Sequence, residues 1–180
     1  MKHVVIYCAL SLVLFLSPPC VLSAEMIDKI IAIFDQDLLL LSEIREQTAK
    51  PITLIIANIQ TSAQPEQDAI PYLLERRLLE REIRYLAYPK ERELIKNLAL
   101  SYLAMTYQHG TADELINKLE QAGISTASLD DELLLYMKGM DYIRRKYRFN
   151  ADIESPQVVM ELFQAWIKEL RANVKFQMIP

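Results

Sequence analysis

Two kinds of hydrophobic pattern follow one another along the chain, and their order predicts the fold. Residues 29–41, KIIAIFDQDLLLL, hold two apolar runs on either side of Asp35-Gln36-Asp37. The β-branched first run and a polar break of hairpin length predict two short strands, although the leucines of the second run fit a helix as well. Ser42 offers a short hydroxyl suited to a helix N-cap. Behind it Ile44, Thr48, Ile52, Ile55 and Ile59 recur at helical spacing, and Pro51 is expected to kink or split that helix.

Pro65 opens a longer segment in which Ile70, Leu73, Leu74, Leu78, Ile83 and Leu86 recur every three or four positions, opposite Glu75, Arg76, Glu80, Arg81 and Arg84. The spacing predicts an amphipathic helix ending near Pro89, with the mixed-sign run Glu75–Arg84 as its solvated face. Residues 90–108 repeat the period through Leu94, Leu98, Tyr102 and Met105 until Gly110 breaks it. Thr111 and Glu114 form a capping box, and Gly123 suits the left-handed position that ends the helix between them. Ser128 with Asp131 is expected to open the next helix, running to about Tyr147. Ser155-Pro156 opens the last, whose Val159, Leu162, Phe163, Trp166 and Leu170 should face inward.

Residues 174–179, VKFQMI, then switch to the alternation of a strand. A lone terminal strand needs a partner, and the strand candidates lie at the other end, near Ile30–Phe34. The expected fold is therefore mainly α: a multi-helix domain closed by a small β-sheet formed by the N-terminal hairpin and the C-terminal strand.

The first 24 residues stand apart. Lys2 and His3 precede an apolar run from Val4 to Leu16, followed by Ser17-Pro18-Pro19 and a small-residue exit at Ser23-Ala24. This is the layout of a secretory signal peptide, and the run is shorter than the roughly 20 residues a spanning helix needs. Cleavage after Ala24 would leave residues 25–180, and after Ser23 one residue more, as a single exported, periplasmic domain without stable membrane insertion. Cys8 and Cys20 both fall in the leader, so disulfides, thiol catalysis and cysteine metal sites are excluded from the processed chain. Pro18 and Pro19 replace the small residues that lipid attachment at Cys20 would need. Without Lys2 the chain carries 19 basic and 24 acidic residues, net −5. No basic cluster dominates the sequence, which disfavours nucleic acid as a partner.

Catalytic chemistry lacks its parts. The processed chain has one histidine, His109, beside Gly110, where a solvated turn residue is the simplest reading. Asp130-Asp131-Glu132 reads as support for a helix dipole rather than a carboxylate pair for hydrolysis. With Gly110, Gly123 and Gly139 as its only glycines, the chain has no phosphate-binding loop. No catalytic residue, metal or cofactor is expected.

The opening stretch Ile31-Ala32-Ile33-Phe34-Asp35, then Leu39, then Ser42-Glu43-Ile44, resembles the hairpin-to-helix start of the SurA family of periplasmic chaperones, with Asp35 where the family usually has asparagine. LLERRLLEREIRYLA at 73–87 is similar to that family's "LIxxxLLxxEA" helix, through Leu78, Leu79 and Glu82. Trp166, Leu170, Arg171 and Ala172, followed by the apolar strand from Val174, resemble its C-terminal helix and strand, with the alanine shifted. Family members commonly carry parvulin-type prolyl isomerase domains before the final helix. Here only Phe149 to Glu154 fill that place, so the resemblance implies the chaperone module alone.

That resemblance implies an ATP-independent chaperone binding unfolded exported polypeptides, outer-membrane or secreted proteins, without isomerising prolines. Such a protein needs adaptable apolar surface, which flexible thioethers and amphipathic tyrosines supply. The aromatics and methionines of the second half are the candidates, most of them core and the tyrosines favoured among those left at a groove. Tyr102, Met105, Tyr107, Tyr136, Met137, Met140 and Tyr142 form the candidate binding set. The competing reading is a helical adaptor of the cell envelope that docks one folded partner or forms a homodimer.

Overall fold

The two ends of the chain meet in one sheet. The computed structural model describes residues 28–35 and 37–179, so the expected leader lies outside the described residues. Strand β1 (Ile30–Phe34) pairs antiparallel with β2 (Asp37–Leu40) as a hairpin and, on its other side, antiparallel with β3 (Phe176–Met178). Ala32 stands opposite Leu39 on one side and Met178 on the other. The strand order is β2-β1-β3, which leaves β3 as an edge.

Asp35 fixes this closure. It occupies the left-handed region at φ 53°, which asparagine and aspartate tolerate best among non-glycine residues. Its N–H donates to Lys175 O (3.1 Å), and its Oδ1 accepts from Lys175 N (3.1 Å). Arg81 Nη1 reaches its other carboxylate oxygen at 2.9 Å.

Between the strands run α1 (Leu41–Thr48), α2 (Pro51–Ile56), α3 (Pro65–Asp68), α4 (Ile70–Ile83), α5 (Arg92–Thr106), α6 (Ala112–Gln121), α7 (Thr126–Tyr147) and α8 (Pro156–Asn173). Pro51 splits the first helical run as its chemistry requires and begins α2. Ser42 does not cap α1, which starts a residue earlier; its N–H and hydroxyl both bond to Asp28, so a carboxylate from outside the helix satisfies the orphan donor. The capping box of α6 is present in both directions, Glu114 N to Thr111 Oγ1 at 3.2 Å and Thr111 N to Glu114 Oε2 at 3.3 Å. At the other end Gly123, φ 72°, supports bonds from Gly123 N to Glu120 O and from Ile124 N to Leu119 O. Helix α7 opens on Ser125 rather than Ser128: Ser125 Oγ accepts from Ser128 N, so Ser128 is the third helical residue. Helix α4 ends at Ile83, short of Pro89, because residues 84–91 form a non-helical connection.

The core lies where α4, α5, α7 and α8 pack together. Tyr102, Tyr136 and Phe163 are fully buried there, with the Tyr102 and Phe163 rings edge-to-face at 4.8 Å. The inward stripe of α5 is Ile95, Leu98, Ala99, Tyr102 and Leu103, while Leu94 and Met105 are exposed. In α8, Val159, Phe163, Trp166 and Leu170 are buried as expected, Ile167 joins them, and Leu162 is half-buried. Gly139 lets α7 and α8 approach: a Cβ there would lie 2.7 Å from Phe163 Cε2 and 3.2 Å from Trp166 Cζ3.

Candidate functional site

Helix α4 is contacted on two sides, and that decides where an open site forms. One side carries Tyr72, Leu73, Glu75, Leu79 and Ile83 into the interior. The adjoining side carries Ile70, Pro71, Leu74 and Leu78, which face the end of α8 and β3 across an open apolar groove of about 360 Å³. Val174 and Met178 form the opposite wall, and Arg171 stands at the groove as its one charged group. Ile70 and Leu78 are buried and make the floor, whereas Pro71 and Met178 are exposed at the rim. The salt bridges Arg77–Glu43 (2.6 Å) and Arg81–Asp35 (2.9 Å) tie α4 to α1 and the hairpin.

Beneath the groove lies a polar centre that periodicity does not predict. Glu75, expected on a solvated face, is 2% exposed. Its Oε2 accepts from Arg171 Nη2 at 2.8 Å and its Oε1 from the Tyr102 hydroxyl at 3.1 Å. The buried Tyr136 hydroxyl stands beside this carboxylate and the Tyr107 hydroxyl without closing a hydrogen bond of good geometry. Burial pushes the Glu75 carboxyl above its usual range, while Arg171 and the Tyr102 hydroxyl pull it back. Burial likewise raises the Tyr102, Tyr107 and Tyr136 phenols, and the Glu75 carboxylate adds to the rise in each. Arg171 thus spans from groove to core, pairing a half-exposed guanidinium with a buried acid.

The tyrosine cluster extends to Tyr72, whose ring meets Tyr107 edge-to-face at 5.5 Å. Its hydroxyl bonds to Glu132, which also pairs with Arg76. Asp130 pairs with Lys96 at 2.6 Å. Asp130 and Glu132 therefore tie α7 to its neighbours from its second turn, rather than supporting the dipole at the helix start.

The seven candidate residues read from the sequence do not form an open surface together. Tyr102, Tyr136, Met137 and Met140 are buried in the core, Tyr107 and Tyr142 are half-buried, and Met105 alone is exposed. No tyrosine lines the groove. The residues that do line it lie on α4 and at the chain's end. The signal for them is the width of the apolar arc on α4, where Ile70, Leu73, Leu74, Leu78, Leu79 and Ile83 span more than one face.

His109 is a core residue, not a solvated one, at 3% exposure. Its Nε2 lies 2.9 Å from Ile56 O and its Nδ1 3.2 Å from Lys118 Nζ. A carbonyl can only accept and an ammonium can only donate, which assigns the neutral tautomer with the proton on Nε2. Burial lowers its pKa, and Lys118 adds to that. The ring joins α2, the 107–111 turn and α6, which is a structural role.

Comparison of the chain with protein-family models, with curated proteins and with solved structures found no match.

Proposed function

We propose that the protein is a SurA-like, ATP-independent chaperone of the cell envelope that binds unfolded exported polypeptides without isomerising prolines. The observation that carries this reading is the apolar groove between α4 and β3, open beside an edge strand. Strand β3 is paired on one side only. Its outer backbone groups can therefore accept an extended segment while the groove takes apolar side chains of that segment. Recognition of this kind uses main-chain hydrogen bonds for affinity and demands no fixed sequence, which suits a binder of unfolded chains. The eight residues between Tyr147 and Pro156 leave no additional domain in that connection.

The test is suppression of aggregation. The processed chain should delay aggregation of an unfolded outer-membrane protein at stoichiometric amounts and show no prolyl isomerase activity above background. Leu74→Glu and Met178→Glu, which place charge in the groove wall, should abolish the delay while helical content stays unchanged. A chaperone activity indifferent to both substitutions would sink the groove as its site. Tight binding of one folded partner with no effect on unfolded clients would establish the adaptor reading instead.

A further inference from the structure

Two of the three most exposed large apolar side chains, Tyr88 and Phe149, lie among cations. Tyr85 is 90% exposed, Phe149 83% and Tyr88 65%. Tyr85 and Tyr88 sit on the connection after α4, and Phe149 follows the end of α7. Residues 84–92 carry three basic and one acidic side chain, and residues 138–154, through the connection that holds Phe149, five and three, a net +4 in a chain of net −4. Neither segment dominates the sequence alone; the fold brings them together around a cleft of about 410 Å³ lined by Tyr88, Lys90, Arg144, Arg145 and Arg148. Lys138 Nζ lies over the Tyr88 ring at 4.9 Å and the Arg148 guanidinium over Phe149 at 4.4 Å, so rings and charges form one patch.

The cleft also holds acids. Arg144, at the floor with its side chain 10% exposed, pairs with Glu91 at 2.6 Å and Glu154 at 3.7 Å, and its Nε has no partner. Arg145 pairs with Asp141 at 2.9 Å. Among the described residues Lys90 and Arg148 make no ion pair, which leaves cationic charge at the rim where the rings project.

We propose that this end of the protein docks peripherally on the surface of an anionic phospholipid bilayer. Projecting aromatic rings on separate connections, flanked by long cationic side chains, fit a soft planar interface where one part of a side chain is wet and the other apolar. A folded protein partner would need a concave or flat apolar face, which isolated rings do not make. Lys90 and Arg148 then meet headgroup phosphates, while Tyr88 and Phe149 enter the headgroup layer. Among the described residues no helix is long and apolar enough to cross a membrane, so the contact is on the surface.

Cosedimentation of the processed chain, residues 25–180, with vesicles tests this. Binding is expected to vesicles containing phosphatidylglycerol and not to pure phosphatidylcholine, weakening steeply with salt. Lys90→Gln and Arg148→Gln should each weaken it about fivefold, the effect of one cation near an anionic surface. Tyr88→Ser with Phe149→Ser should weaken it further, and these exposed positions keep the fold intact. Leu74→Glu in the apolar groove should leave it unchanged, which separates this surface from the proposed polypeptide site. Equal binding to both vesicle types, no binding, or tighter binding to polyglutamate or single-stranded DNA than to the anionic vesicles would overturn the proposal.

Discussion

Gly139→Ala is the sharpest probe of how the helices close over the core. In the middle of α7 the substitution should favour the helix by roughly 1 kcal/mol on intrinsic propensity. Packing opposes it: the new Cβ would stand 2.7 Å from Phe163 Cε2, whereas carbon atoms rest about 3.5–4.0 Å apart. Phe163 is fully buried, with Tyr102 at 4.8 Å and Trp166 at 5.8 Å between ring centroids, so its ring has no free space to enter. Overpacking of this kind costs about 1–3 kcal/mol, and taking the upper half of that range, less the propensity gain, leaves a net loss of about 1–2 kcal/mol. In a domain of this size the midpoint of thermal unfolding should fall by about 2–8 °C. Urea unfolding followed by circular dichroism measures the loss, and a double-mutant cycle with Phe163→Leu assigns it. In the Phe163→Leu background, where the ring is gone, Gly139→Ala should become neutral or stabilising. If Gly139→Ala stabilises the otherwise unchanged chain, the close approach of α7 and α8 is wrong.

Three further outcomes follow from the polar groups. Glu75 holds its proton more tightly folded than unfolded, so its contribution is present below the ordinary value of 4.5 and is lost as pH rises through the raised folded pKa. The stability difference between wild type and Glu75→Gln should therefore shift in favour of the variant with rising pH in that window, by at most about 1.4 kcal/mol per unit; a flat difference in urea unfolding from pH 4 to 8 would refute it. His109 runs the other way: its lowered folded pKa makes its contribution present above 6.5 and lost as pH falls from there through the folded value. As the one imidazole of residues 25–180 it should give, in that segment, a single nuclear magnetic resonance titration below 6.5, moved upward by Lys118→Met, and a midpoint above 6.5 contradicts the assigned tautomer. Asp35→Ala loses the side-chain bond to Lys175 and strains a left-handed backbone, costing about 1–2 kcal/mol. Asp35→Asn, which keeps both features, should stay within about 0.5 kcal/mol of wild type by denaturant unfolding.

The elements that could be read from the sequence are those set by local chemistry or by an obligatory pairing. Pro51 had to interrupt a helix, Thr111 and Glu114 had to cap one, and the terminal strand needed a partner that Ile30–Phe34 alone supplied. Helix starts were less legible where a distant group took over, as Asp28 does for Ser42. The candidate site was not legible, because period 3.6 says which residues share a face and not how many faces are covered. On α4 the burial of Glu75 depends on Arg171, 96 residues away, and on Tyr102, 27 away. Burial of His109 is satisfied by distant groups as well, its Nε2–H donating to Ile56 O and its Nδ1 accepting from Lys118 Nζ. Tyr102, Tyr107 and Tyr136 gather around Glu75, so the open apolar groove falls to α4 and β3 instead.

Site-specific photocrosslinking to an unfolded client tests the central claim most directly. A photo-reactive residue at Leu74 or Met178 should label an unfolded outer-membrane protein strongly, and the same group at the exposed Met105 should not, since it lies outside the groove. Labelling from position 105 that equals labelling from 74 and 178, or none from the groove positions, would contradict the assignment of the α4–β3 groove as the polypeptide-binding site.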